Sequence, residues 1–265
     1  MKTIDENYIS KDTTETITTE STIETETSII TEDENAFFNQ ESIFIYEYIS
    51  DGEVIPHVLF TPSIGNDSKP KPLIVWLHGA GERNADKLDF LLSGFPLVVN
   101  MWMKDGFDAY ILCPHLTGNW NISVWNHKYS ANNLKQLLDK FISEHNVDIN
   151  NIIITGHSLG GQGALYMAHE LSDYFSKCVV LSGYPAGIDI SEITIPTIGY
   201  VGMYSCGESR DSINYMMNTF AQVFGEENTF IVETSHCKLP MVVFYQDIDG
   251  NNRSDVIEWM FSDIS

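Results

Sequence analysis

Apolar runs of strand length alternate with stretches of helical period along most of this chain. That alternation limits the fold more than any other feature. The segments KPLIVWL, FDAYILCP, NIIIT, KCVVLSG, TIGYVG and TFIVETS are rich in β-branched and aromatic residues, as strands buried in a sheet are. Between them, ANNLKQLLDKFISEHN places Leu134, Leu137, Leu138, Phe141 and Ile142 on one face, which predicts an amphipathic helix. Further helices are expected from the glycines after NIIIT to about Leu171, from about Ser212 to Phe224, and over DVIEWMF at the end. The predicted class is α/β, with a mostly parallel central sheet and helices on both faces. Ahead of it, SIFIYEYI and VIPHVLFTP meet at Asp51-Gly52 and read as an antiparallel hairpin. No internal repeat is visible.

The chain divides at about residue 42. Residues 1–41 include KDTTETITTESTIETETSIITEDE, a Thr/Glu-rich stretch without Gly, Pro or aromatic residues. It cannot bury much apolar surface, so an acidic disordered tail or linker is expected there. Residues 42–265 then form one domain, large enough for a sizeable core at 43% hydrophobic composition overall. Net charge is −23, from 14 basic and 37 acidic residues. This argues against nucleic acid or an anionic membrane as partner and favours a neutral or cationic substrate. No run of about 18 apolar residues is present to span a membrane. MKTIDENYIS has no apolar core of a signal peptide. Two readings of location follow: cytoplasmic, or exported with a leader removed. Cys113, Cys178, Cys206 and Cys237 show no CxxC spacing, so a zinc or redox motif is not expected. Cys113 and Cys178 fall in apolar runs and read as core residues.

The chemistry is concentrated where NIIIT meets Gly156-His157-Ser158-Leu159-Gly160-Gly161. G-x-S-x-G between a strand and a helix is the nucleophile-elbow pattern. The glycines two before and two after Ser158 are needed because a Cβ there would strike neighbouring backbone. The helix that follows aims its free N–H groups and partial positive charge at the serine. A second glycine-rich turn, His78-Gly79-Ala80-Gly81, ends an earlier strand.

Together, GHSLGGQGAL and IVWLHGAGER resemble the α/β-hydrolase superfamily, over roughly residues 42–265. Within it the likeness is to the carbohydrate-esterase and feruloyl-esterase type, which is also similar to small carboxylesterases and prolyl-oligopeptidase catalytic domains. The resemblance implies an α/β-hydrolase fold and an oxyanion hole with one donor at Gly79 or Ala80 and the other at Leu159. His78 is read as structural. Glu82 and Arg83 form an ion pair that holds the loop, or are surface charge. The triad order in this fold is serine, acid, histidine. Of the two histidines after Ser158, His169 lies within the following helix, and His236 follows TFIVET in the loop where the base belongs.

The acid departs from the family pattern, because the position three residues after the glycine of TIGYVG is Ser205. The loop offers Glu208, preferred as the triad acid, and Asp211, which reads as a helix N-cap. Cys206 and Cys237 lie close to these two loops and stand either as a disulfide or as two thiols. Trp120 and Trp125 line an aromatic acyl or sugar pocket, or pack in the core. Residues 247–258, DIDGNNRSDVIE, align with an EF-hand-like calcium loop. Its ligands would be Asp247, Asp249, Asn251, the Arg253 carbonyl, Asp255 and bidentate Glu258. A polar turn capping the last helix is the other reading.

The function expected from this set is a serine hydrolase of carboxylic esters, working through an acyl-enzyme without a catalytic cofactor. A structural calcium ion is the only metal expected. Its substrate is a small-molecule or polysaccharide-linked ester, with feruloyl or acetyl groups on plant polysaccharide implied by the resemblance. The alternatives are a peptidase, lysophospholipase or lipase on the same triad, and a non-catalytic binding module of the same fold. Oligomeric state is left open.

Overall fold

The order of the strands across the sheet sets the site. The computed structural model describes residues 43–50, 53–62, 68–83, 108–116, 125–185, 187–204, 209–245 and 255–262. Residues 1–41, expected to be a tail, therefore lie outside the described residues. The strands are β1 (Ile43–Ser50), β2 (Glu53–Phe60), β3 (Lys71–Leu77), β4 (Tyr110–Pro114), β5 (Val147–His157), β6 (Lys177–Leu181), β7 (Thr197–Tyr204) and β8 (Thr229–Ser235). They form one sheet in the order β1-β2-β4-β3-β5-β6-β7-β8.

The hairpin read at Asp51-Gly52 is present, with Ser50 opposite Glu53. β2 is also antiparallel to β4, and the pairs from β4 through β8 are all parallel. Parallel neighbours need helical crossovers. These include α1 (Lys128–Glu144), α2 (Leu159–Glu170) and α3 (Arg210–Phe224); α4 (Leu239–Tyr245) and α5 (Asp255–Phe261) follow β8.

Side-chain alternation along the strands divides the core into two layers. Leu73, Val75, Leu77, Ile152, Ile154, Cys178 and Val180 face one side with Leu134, Leu138, Ala164, Ile213 and Phe220 of α1, α2 and α3. Ile74, Trp76, Ile153, Val179, Leu181 and Tyr200 face the other, with Val243 and Phe244 of α4 and Val256 and Met260 of α5. Both faces of the central parallel strands are thus dry, which is why they read as unbroken apolar runs, while the edge strand β8 leaves Ile231 and Glu233 exposed. Cys113 and Cys178 are buried in these layers, as expected.

Two elements differ from the sequence reading. β5 begins at Val147 rather than Asn151, because Val147 pairs with Lys71 before the register shifts to Leu73 and Ile152. α4, LPMVVFY, is a helix that the sequence reading does not assign. Its second residue, Pro240, is harmless in a first turn, where the N–H has no intrahelical partner.

Lys177 ties the last helix to the sheet. It is 3% exposed at the start of β6. Its Nζ donates to the carbonyls of Trp259 (2.5 Å), Met260 (3.3 Å) and Ser262 (2.5 Å) and to Ser262 Oγ (2.9 Å). It also lies 5.2 Å from the Trp259 ring. A cation on these terminal carbonyls satisfies groups that no helix can satisfy internally. Lys177→Met keeps the bulk but removes the Nζ donor from the Met260 and Ser262 carbonyls, while Trp259 O keeps Ser262 Oγ (2.8 Å). It is expected to cost about 2–4 kcal/mol, seen as a lower urea midpoint at unchanged m-value.

Candidate active site

Every chemically interesting turn opens at the C-terminal ends of the parallel strands, where ligands bind in open α/β sheets. At the end of β5 the chain turns sharply into α2. Ser158 takes φ 56° and ψ −114° at that join, in a region that L-residues rarely occupy. Ser158 N–H donates to Leu181 O at 2.9 Å, which locks the turn to β6. The glycines are required as the sequence suggested. A Cβ on Gly156 would stand 2.3 Å from Gly160 O, and one on Gly160 would stand 1.8 Å from Leu77 O. The N–H of Leu159, in the first turn of α2, precedes the first intrahelical bond, which runs from Gln162 N–H to Ser158 O at 3.0 Å. That leaves the N–H free to serve an outside acceptor.

The loop after β3 is built by side chains folding back on it. Gly79 N–H donates to Glu82 Oε2 at 2.7 Å, and Glu82 N–H returns to Gly79 O at 3.3 Å. The Gly79 donor is therefore already engaged. Of the two candidates for this side of an oxyanion hole, the geometry sets Gly79 aside and leaves Ala80. Glu82 closes the loop through this bond rather than standing as surface charge, and Arg83 is buried at 3% exposure.

His78 is wholly buried. Its Nδ1 donates to Gly79 O (2.7 Å) and its Nε2 accepts from Leu116 N–H (2.9 Å). Those partners specify the neutral tautomer and a structural role. Burial, reinforced by nearby His115 and Arg83, lowers its pKa from 6.5 to about 3. Trp125, expected either in a substrate pocket or in the core, is 3% exposed. Its Nε1 donates to His78 O at 3.0 Å, and its ring meets His78 edge-on at 5.2 Å. The geometry corrects the pocket reading of Trp125, whose ring is spent on supporting the loop. Trp120 lies outside the described residues.

His236 begins the turn after β8 and is 8% exposed. Its ring centroid is 4.4 Å from that of His157, the residue before Ser158, at an interplanar angle of 47°. The base candidate thus packs against the residue that precedes the nucleophile candidate. Sequence reasoning passed over His157, because the position between glycine and serine carries no residue requirement in the motif. His169 lies on α2 with Glu170 and Glu192, each 2.9 Å away, and takes no part in this end of the sheet.

Glu208 lies outside the described residues, as do Ser205 and Cys206. Asp211 is exposed in the first turn of α3. The N-cap is Ser209, whose side chain accepts from Ser212 N–H, which corrects the N-cap reading of Asp211. Cys237 is exposed beside His236, and its pairing with Cys206 falls outside the described residues. Asp247, Asp249, Asn251 and Arg253 do too, while Asp255 opens α5 and Glu258 is exposed on it. Among the described residues no cluster of His, Cys, Asp and Glu is arranged to hold a metal ion. Exposed aromatic surface occurs between β6 and α3, at two residues that no motif singles out. Tyr184, shortly beyond β6, stacks on Tyr215 of α3 with ring centroids 5.3 Å apart.

The strand order, the two antiparallel strands at one edge and the serine held at positive φ between β5 and α2 decide the architecture. The chain has the α/β-hydrolase fold. Residues 100–229 match the Esterase family model, described as "Putative esterase". No curated protein matches the chain at significance. Among solved structures it is similar to a thermostable esterase (TM-score 0.60, 23% identity, 83% of this chain and 63% of that one). It is also similar to a ferulic acid esterase (TM-score 0.57, 17% identity, 73% and 91%). A third likeness is to Est1E from Butyrivibrio proteoclasticus (TM-score 0.52, 14% identity, 75% and 93%). The α/β-hydrolase chain spans less than two thirds of the thermostable esterase. Among the described residues of this α/β-hydrolase, no helix is long and apolar enough to cross a membrane.

The buried histidines give the fold a pH dependence with a definite sign. His78 and His157 both have their pKa lowered from 6.5 to about 3, chiefly by burial. The unfolded chain therefore takes up their protons first, and stability falls as pH drops from about 6.5 toward about 3. By pH 5 each is expected to cost about 2 kcal/mol. His169, whose pKa is raised by Glu192 and Glu170, works in the opposite sense, but it is partly exposed and screened. A urea midpoint that stayed constant from pH 7 to pH 5 would falsify this.

Proposed function

We propose that the protein is a serine hydrolase of carboxylic esters that works through an acyl-enzyme. The observation that carries the proposal is the backbone of Ser158, held at φ 56° and ψ −114° at the mouth of α2 beside the His157–His236 contact. Strain of this kind, of order 1–3 kcal/mol, persists where it serves a site. In the proposed cycle Ser158 Oγ attacks the ester carbonyl carbon and its proton passes to His236. The N–H groups of Ala80 and Leu159 receive the developing oxyanion. The C–O bond to the alcohol breaks, and the alcohol leaves with the proton from His236. Water, deprotonated by His236, then releases the acid and restores Ser158. Glu208 is the proposed orienter of His236, with Asp211 the alternative.

The substrate class in this proposal is an acyl group esterified to plant polysaccharide, feruloyl or acetyl. Its supports are the likeness to a ferulic acid esterase, the net charge of −23, which disfavours anionic substrates, and the flat face of the Tyr184–Tyr215 stack, a surface suited to planar or sugar rings. A calcium ion held by residues 247–258 belongs to the same proposal, and a fall in melting temperature on adding EGTA is its test.

The enzymatic proposal is tested by fluorophosphonate labelling followed by peptide mapping. The label is expected on Ser158, and its absence from an active preparation would remove the serine from the mechanism. Methyl ferulate and p-nitrophenyl acetate, compared at equal concentration, separate the two acyl classes.

A further inference from the structure

We propose that His157 is a positioning residue for His236, its imidazole ring holding the base in place. This rests on the serine-hydrolase reading above and deepens it. The geometry is specific. His157 ends β5, so its backbone is fixed by pairing with Leu181 on one side of the sheet turn and by the elbow on the other. Its ring is tilted 47° against His236 at a centroid distance of 4.4 Å, within the range in which an aromatic face attracts a cation. On its other side is the oxyanion loop. A point where a Gly79 Cβ would stand lies 3.5 Å from His157 O and 3.6 Å from His157 Nδ1. His157 therefore spans the space between the base turn and the loop that carries the Ala80 donor.

The ring can do this only while it carries no charge of its own. Two adjacent imidazolium ions would repel, and His236 becomes an imidazolium in each half of the cycle. Burial, with the charge of His236 as the second cause, lowers the His157 pKa to about 3, partly offset by a hydrogen bond with the His236 backbone. His157 Nε2 is buried and makes no hydrogen bond among the described residues, so that edge of the ring adds no polar anchor to the packing. The titratable groups facing His157 among the described residues are His236 after β8 and Glu82 after β3. Glu82 Oε2 lies 3.4 Å from the same Gly79 Cβ point. Ser158 is its neighbour on its own element. A neutral aromatic wedge at this place packs against the His236 ring without repelling it when it takes up the serine proton.

The test compares wild type with His157→Leu, His157→Phe and His157→Gln, using p-nitrophenyl acetate and fluorophosphonate labelling from pH 5 to pH 9. His157→Leu is expected to lose about tenfold in kcat at unchanged KM. His157→Phe, which keeps a ring, is expected to restore kcat, and His157→Gln to behave like His157→Leu. If His157→Leu is folded by urea titration yet keeps the wild-type kcat, the positioning role is wrong. The same holds if His157→Gln restores activity and His157→Phe does not, since a hydrogen bond would then be responsible. Wild-type labelling at Ser158 in the same series separates these results from failure of the serine-hydrolase reading, which would remove labelling and turnover from every form.

Discussion

Ser158→Ala is expected to abolish ester hydrolysis while leaving the protein folded. On the proposed mechanism the loss in kcat is on the order of 10⁴–10⁶-fold, because no other group can form the acyl bond and only the oxyanion donors and substrate binding still act. Stability should barely move, since alanine at φ 56° is as strained as serine. Ser158→Gly separates the two effects. Glycine accepts the positive φ without penalty, so this variant is expected to be inactive and more stable than wild type by about 1 kcal/mol. The measurements are turnover of p-nitrophenyl acetate and urea midpoints for the three forms. Residual activity in Ser158→Ala within tenfold of wild type would contradict the acyl-enzyme. A midpoint for Ser158→Gly below that of wild type would contradict the strain.

Gly160→Ala is expected to have the largest effect on folding of any single methyl added at a described glycine. Its Cβ would stand 1.8 Å from Leu77 O, 2.4 Å from Leu77 C and 2.7 Å from His78 O. All three are backbone atoms at the end of a central strand, so no side chain can rotate away. Relief requires α2 to move off β3, which separates the elbow from the loop that carries Ala80. Overpacking of side chains typically costs about 1–3 kcal/mol, and a clash of main chain with main chain is expected to exceed that range. Gly81→Ala is the control, because a Cβ at exposed Gly81 meets nothing within 4 Å. The expected result is loss of soluble yield or a collapsed urea midpoint for Gly160→Ala, beside a normal Gly81→Ala. A well-folded Gly160→Ala would mean that the elbow is looser than its geometry.

Much of this was legible in the residues. Gly156, Ser158 and Gly160 specify the elbow because sterics at a tight strand-to-helix turn permit few alternatives. Alternating apolar runs specify a two-layered parallel sheet because each face needs its own cover. Position along the chain also placed His236 in the turn after β8 and His169 on the helix after the elbow. Other features were not legible. α4 was missed because LPMVVFY is as compatible with a buried strand as with a short helix. Asp211 was read as the N-cap when Ser209 performs that task, since both residues lie within reach of a helix start and only the path of the chain selects one.

The sequence by itself determined which residues are candidates for the chemistry and the kind of turn each occupies, because those depend on local sterics and on spacing along one strand or helix. Only the tertiary structure decided which donors and neighbours remain available to that chemistry. Glu82 folds back and takes the Gly79 N–H, leaving Ala80. Trp125 spends its ring on His78 rather than on a pocket. His157 meets His236 across a separation in sequence that no local pattern encodes. Whether a polar group is engaged is a property of everything packed around it, and that is settled only when distant segments of the chain come together.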